Sequence, residues 1–409
     1  MSGAGGLSTR DVLWRFAPMI YGPTLLFGLG EGALLPLLPS IAAAAGADLS
    51  QAALIASVLV VARLIGNLPA GWLVARIGER WTMAIAGGLA LVGVLGLIFA
   101  RGLILLGVSV FGIGLCAAAF GLARHAFMTT RVPLRYRARA LSTLGGSFRL
   151  GMFTGPFVAA GLVAATGTEQ AAGWFFAGCL AALVLLVLLG RDPEDELGRV
   201  TPPKTEPSKP EGVFRTMWRH RGVLVRVGGA AATLSGMRQA RIYLLPLWGV
   251  SLGLGPEQIA LIIGLTGALE FLLFYTSGQI MDRWGRLWAC LPSMILMGGA
   301  FAGLAFTHDL ASPTAWFIAG AVVVGIGNGL SSGILMTLGA DLAPAADPAP
   351  FLGSWRMLSD AGAAGSPLLI TGITALVSLP AATLVIGVIG LLGAVGFAVY
   401  VPRYLPHRR

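Results

Sequence analysis

The sequence predicts an all-α membrane protein with twelve transmembrane helices in two pseudo-symmetric six-helix bundles. Composition, a recurring run length and an internal repeat point to this together. Hydrophobic residues make up 56% of the 409 residues and charged residues 11%, where soluble domains carry about 25% charge. Mean hydropathy is +0.82, so the bulk of the chain sits in lipid. Apolar runs recur over 17–39, 51–74, 82–100, 102–123, 140–165, 171–190, 223–250, 258–281, 288–306, 313–339, 351–377 and 380–401. At about 1.5 Å of rise per residue, about 20 residues cross a hydrocarbon core of about 30 Å. Gly71 to Trp81 aligns with Gly278 to Trp288, and Gly146 to Arg149 with Gly353 to Arg356, both at a spacing of 207 residues. Self-similarity of this kind marks a duplicated architecture. Duplicated halves with charge at mid-membrane depth are how membrane carriers are built.

In chain order, Met1 to Asp11 is rich in Gly and Ser and lacks the basic stretch, short apolar core and small-residue site of a cleavable signal. The first helix itself is expected to direct insertion. Six runs then complete a first domain over 1–190. Between its fourth and fifth runs, Arg124, His125, Arg131, Arg135, Arg137 and Arg139 form a basic segment. Inward-positive topology accounts for it, with substrate steering as the other reading. Residues 191–221 break the apolar pattern with Pro and mixed charge, which cannot bury enough surface to fold alone. This is read as a cytoplasmic linker, a regulatory docking segment being the alternative. A second domain over 222–409 repeats the six runs. Gly is abundant, and in stretches such as Gly145-Gly146 or Gly325-Ile326-Gly327-Asn328-Gly329 it is expected to let helices pack closely.

Lys and Arg set the orientation. With both termini cytoplasmic, only Arg101 faces outward, while Arg63, Arg149, Arg226, Arg238, Arg241 and Arg356 fall within runs and the other basic residues lie inside. Positive loops resist translocation, so a multi-pass protein of the cell (inner) membrane with both ends cytoplasmic is expected. The formal net charge of +10 then reports topology and contact with membrane lipids, and a nucleic-acid partner drops out. Cys116, Cys179 and Cys290 are too far apart in sequence for a zinc or redox pair, so no disulfide, metal or cofactor is expected. A phosphate-cradling G-x-x-x-x-G-K-[ST] loop, H-E-x-x-H and any Ser/His/Asp grouping are absent from the sequence. His125, His220, His308 and His407 fall at loop or terminal positions, which argues against an enzyme.

Gly278, Asp282, Arg283, Gly285 and Arg286 match G-x-x-x-D-R-x-G-R, and this loop together with twelve spans resembles the major facilitator superfamily over the whole chain. The resemblance implies a conformational latch. The Asp would take hydrogen bonds from a neighbouring helix end and the Arg residues would clamp the cytoplasmic face, which favours the outward-facing state. An acid interacts well with a helix N-terminus and Arg makes forked contacts, so the physics is sound. In the first copy, Gly71, Arg76 and Gly78 keep the pattern, but Ala75 stands at the Asp position and Glu79 at a basic one. That latch is expected to be weaker or differently built. Gly151-Met152-Phe153-Thr154-Gly155-Pro156 is similar to the G-x-x-x-G-P motif of the family's drug:proton antiporters, with Ala159 and Ala160 where two glycines often follow. Any kinked membrane helix would also use Gly155 and Pro156.

Besides Arg226 near the start of its run, eight charges lie within the runs: Glu31, Glu270, Asp360, Arg63, Arg149, Arg238, Arg241 and Arg356. Each costs about 2.5–3.5 kcal/mol near the bilayer centre, so such groups face a partner or a pathway. At the 207-residue register Glu31 falls on Arg238 and Arg63 on Glu270, giving each half one acid and one base in opposite order. Pairing within each half is the simplest way to offset desolvation, with Arg238 as the counterion of Glu270. The resemblance also implies that the first and seventh helices line a cavity, so an exchange of partners between Glu31 and Arg238 is the alternative to static pairs. A proton carrier must be a carboxylate whose affinity changes with conformation. Glu31 comes first because family exporters often keep an acid on the first helix, then Asp360, four residues after Arg356 on one helix face, then Glu270.

The embedded bases outnumber the acids, and uncompensated Arg prefers carboxylate or phosphate. Arg238, Arg241, Arg63, Arg149 and Arg356 are therefore candidate substrate ligands. Tyr243, Trp248, Phe271, Tyr275, Asn328 and Trp355 could line an amphipathic pocket, packing being their plainer role. The reading is a monomeric, proton-coupled exporter of amphipathic, anionic or lipid-like small molecules, working by alternating access. A symporter or facilitator of an organic anion, and a non-transporting membrane sensor, stay open.

Overall fold

The computed structural model describes residues 17–131, 134–190, 217–344 and 348–405. The readings made for Met1 to Asp11, most of the linker and His407 lie outside these residues. So do the side chains of Arg131, Arg135, Arg137, Arg139 and Tyr275.

Every regular element among the described residues is helical. Helix α1 (Met19–Ala44) is interrupted by a 3-10 turn at Leu35–Leu37, where Pro36 and Pro39 remove backbone donors. Leu49–Ile98 is one helical stretch broken at Gly78, giving α2 (49–77) and α3 (79–98). Asp48 caps α2. It accepts the Gln51 N–H at 2.8 Å while Gln51 Oε1 accepts the Asp48 N–H at 3.0 Å. These contacts, with the Ser50 hydroxyl, hold the Asp48 carboxyl below the usual carboxylate range. Next come α4 (Leu103–Arg131), α5 (Leu134–Thr166) and α6 (Gln170–Leu189).

The chain then enters α7 (Gly229–Ser251) through turns at Arg221–Val223 and Leu224–Gly228. It continues through α8 (Pro256–Arg283), α9 (Leu287–Leu304) and α10 (Pro313–Leu342). α10 is broken at Gly333, whose φ is +80°. α11 (Pro348–Leu376) and α12 (Leu379–Tyr404) end the described chain. Among the described residues ten helices are long and apolar enough to cross a membrane. α7 and α11 fall outside that set despite their 23 and 29 residues. α7 carries Arg238, Gln239 and Arg241, and α11 carries Arg356 and Asp360.

The helices form two compact units, one of Met1–Ala47 with Val58–Lys204, the other of Asp48–Ser57 with Thr205–Arg409. In the first, α1 packs chiefly on α5 and α6. Gly28 and Gly32 on α1 meet Gly151 and Gly155 on α5, each pair one helical turn apart. A Cβ at Gly155 would stand 2.6 Å from the Ala33 nitrogen and the Leu29 oxygen. Backbones touch here with no side chain between them, as small-xxx-small pairs allow. In the second unit α9 packs on α10 and α12, α7 on α11, and α8 on α10. A Cβ at Gly325 would lie 2.9 Å from the Thr266 oxygen, and one at Gly329 2.8 Å from Leu273 Cβ. Gly145 and Gly146 differ from expectation. A Cβ at either would meet nothing within 4 Å, so these two glycines face open space among the described residues.

Candidate functional site

In the first unit the site is built on α1. Glycines at 28, 30 and 32 bring α5 and α6 against this helix, which leaves Glu31 buried, its side chain 5% exposed. Arg63, from the middle of α2, forms an ion pair with it. The expected pairing within this half is present. A carboxylate so placed would be costly without a cation beside it.

The second unit solves the same problem one turn away. Glu270 of α8 pairs with Arg241 at 2.8 Å rather than with Arg238, the counterion expected from the repeat. Arg238 donates from Nε to Asn328 Oδ1 at 3.0 Å. The two arginines are three residues apart on α7, so their side chains diverge by about 60° around the helix. That divergence lets one reach α8 and the other α10. Asn328 is buried at 2% exposure and sits between Gly327 and Gly329, where α10 closes on α8 and α9.

Arg356 and Asp360 do pair along α11, but loosely, at 3.7 Å, with side chains 76% and 55% exposed. Arg149 is exposed on α5. Tyr243 is buried and its hydroxyl lies 3.4 Å from Gln239 Nε2. Trp355 is a packing group. Its indole donates to the Leu335 carbonyl at 2.8 Å and its ring stacks on Phe351. Trp248 is buried edge-on to His308, and Phe271 is largely exposed.

The two copies of the loop motif share their backbone and differ in their charges. Gly78 and Gly285 both have positive φ, +80° and +94°, which side chains with a Cβ rarely adopt. In the second copy Arg286 donates to Asp341 at 2.8 Å and to the Met281 carbonyl at 3.0 Å, with Asp282 at 3.4 Å. The Asp341 contact holds the Arg286 guanidinium above its ordinary value. Asp282 and Arg283 are exposed, so the tight acid of this loop is Asp341, from the end of α10. In the first copy Arg76 lies 5.1 Å from the centroid of the Trp72 ring, and a Cβ at Gly71 would lie 3.8 Å from Leu122 Cδ2. Arg80 donates to the carbonyls of Val187, Leu188 and Gly190 at 3.0, 2.7 and 2.9 Å. A cation at a helix C-terminus meets its carbonyls and the negative end of its dipole. This latch is differently built, as expected.

Sequence reasoning missed Arg80 and Arg124. Arg80 stands one residue past the motif's basic position. Arg124 was counted with the cytoplasmic basic segment, yet it sits within α4, its guanidinium 4.7 Å from the Phe148 ring centroid and 5.7 Å from that of Phe120. Cys116, Cys179 and Cys290 are free and buried.

Comparisons with known proteins agree with this architecture. The chain is 32% identical over 103 residues to the bacillibactin exporter of Bacillus subtilis (strain 168), a match that spans 25% of each protein. A POT family transporter crystallised with a thioalcohol-conjugated peptide superposes with a TM-score of 0.76 at 15% identity, over 96% of both chains. A bacterial homologue of the human lysosomal transporter Spinster gives 0.75 at 14% identity, over 98% of both. These likenesses establish the fold. The family profile of the Major Facilitator Superfamily matches residues 23–367, which with the helical repeat and paired intramembrane charges makes this chain a member of that superfamily, a transporter of small molecules rather than an enzyme.

Proposed function

We propose that the protein is a proton-coupled exporter of amphipathic, anionic or lipid-like small molecules, working by alternating access. In this reading it is a monomer of the cell membrane with twelve spans, α7 and α11 included, and with both termini cytoplasmic. A six-helix half lies on each side of a linker at 191–221. The observation that carries the proposal is the buried Glu31–Arg63 pair on α1 and α2. A carboxylate beside a guanidinium stays ionised. When the guanidinium withdraws into drier surroundings, the same carboxylate takes up a proton. Glu31 is thus the first coupling group, with Asp360 and Glu270 behind it. Gly155-Pro156 on α5 and the 32% identity to an exporter over a quarter of the chain support export. Arg238, Arg241, Arg63, Arg149 and Arg356 supply the preference for anions. Gly71, Arg76, Gly78, Asp282, Arg283, Gly285 and Arg286 gate the cytoplasmic ends.

The test is flux in proteoliposomes holding the purified chain and an imposed pH gradient. Carboxyfluorescein serves as the anionic probe and rhodamine 6G as a cation of similar size. Gradient-driven accumulation of the anion against the direction of proton flow, lost on adding a protonophore, is the expected result. Flux indifferent to the gradient rejects proton coupling. Accumulation in the direction of proton flow favours the second reading, an organic-anion symporter, which the excess of intramembrane Arg supports. A chain that moves neither probe under any gradient points to a sensor.

A further inference from the structure

Arg124 has no evident role in the ion pairs described above. Its Nε and Nη1 are buried and without a hydrogen-bond partner. The faces of Phe148 and Phe120 flank its guanidinium. Ring faces attract the charge but leave those N–H donors unmet, and an unmet buried donor is costly. Both rings are tied to α1 just before Glu31. Phe120 stacks on Phe27 at 4.9 Å, and a Cβ on Gly28 would lie 2.6 Å from the Phe148 carbonyl oxygen. Gly28 is three residues, about 4.5 Å of helix rise, from Glu31. On α1, Tyr21, Thr24, Gly28 and Glu31 follow at helical spacing, and the Tyr21 and Thr24 hydroxyls are also buried without a hydrogen-bond partner.

We infer that Arg124, its guanidinium held over the Phe120 and Phe148 rings, forms an anion-binding subsite in the first unit that takes the carboxylate or phosphate of an amphipathic solute. A guanidinium fork matches those two anions in geometry, and its planar faces accept aromatic rings. The inference deepens the transport reading above and rests on it for its physiological meaning. Binding is nonetheless an equilibrium property that needs no gradient.

The experiment measures binding of phenyl phosphate and benzoate to the full-length chain in phosphatidylcholine nanodiscs, by thermal shift and calorimetry, with benzylammonium and benzamide as controls. The anions are expected to stabilise the protein and the controls to leave it unchanged. Arg124→Gln should weaken phenyl phosphate binding about tenfold or more, as loss of a charged hydrogen bond does. Arg124→Lys, which keeps the charge and loses the fork, should fall between. Repeating the titration in phosphatidylglycerol discs separates sources. A lower apparent affinity there identifies a lipid headgroup as the resident anion, and equal affinity identifies a free solute. Unchanged affinity in a folded Arg124→Gln chain overturns the inference, as does equal binding of benzylammonium. If Arg124→Gln does not fold, Arg124→Lys decides alone, and wild-type affinity in that variant overturns the forked subsite. Anion binding lost on Arg124→Gln together with gradient-indifferent flux would sink the proton-coupling proposal and leave this one standing.

Discussion

At the level of single residues, the Glu31–Arg63 and Glu270–Arg241 pairs are responses to desolvation, and the details differ between halves. Glu31 and Arg63 meet because consecutive helices bring them to one depth. That pair was legible in the sequence, since spacing along two spans fixes depth. The choice of Arg241 over Arg238 by Glu270 was not, because it depends on the rotation of α7 about its axis, which neighbouring helices set. Glu31→Gln strips Arg63 of its counterion. Removing one partner of a buried pair costs about 3 kcal/mol or more, so a lower melting temperature is expected in nanodiscs, with loss of gradient-driven but not exchange flux. Retained gradient-driven flux in this variant would move the coupling role to Asp360 or Glu270.

At the level of elements, glycine sets where helices touch. Gly155→Ala places a methyl against backbone atoms 2.6 Å away that cannot rotate aside. Overpacking of this kind costs about 1–3 kcal/mol. Gly145→Ala, on the same helix but facing open space, should be neutral or mildly stabilising. Equal melting of the two variants would show that the α1–α5 contact is softer than this. The break between α2 and α3 makes a second case. Gly78 holds φ +80° and ψ 171°, a region essentially closed to other residues at about 1–3 kcal/mol. Gly78→Ala should therefore destabilise, while Gly88→Ala, mid-helix with nothing within 4 Å, should not. The repeat foretold a turn at Gly78 and Gly285. It could not foretell that Arg80 would end up on the carbonyls of α6, since that contact joins residues 107 to 110 positions apart.

At the level of the whole molecule, charge distribution makes a direct topological prediction. Alkaline phosphatase fused after Ala100 should be active outside the cell, and fused after Leu189 it should be inactive. The reverse pattern would overturn the orientation drawn from Lys and Arg. Helix type, the length of the apolar helices and family membership were readable from one strand of letters, because bilayer thickness imposes a run length and water-free lipid leaves the backbone only its own hydrogen bonds. These are local constraints, written wherever the chain crosses the membrane. Partner choice is another matter. Arg124 looked like one more inward-facing positive charge until α4, α5 and α1 came together around it. Which arginine meets a carboxylate, and which is left with only aromatic faces, follows from helix rotation and contact at side-chain range, and only the packed fold specifies those.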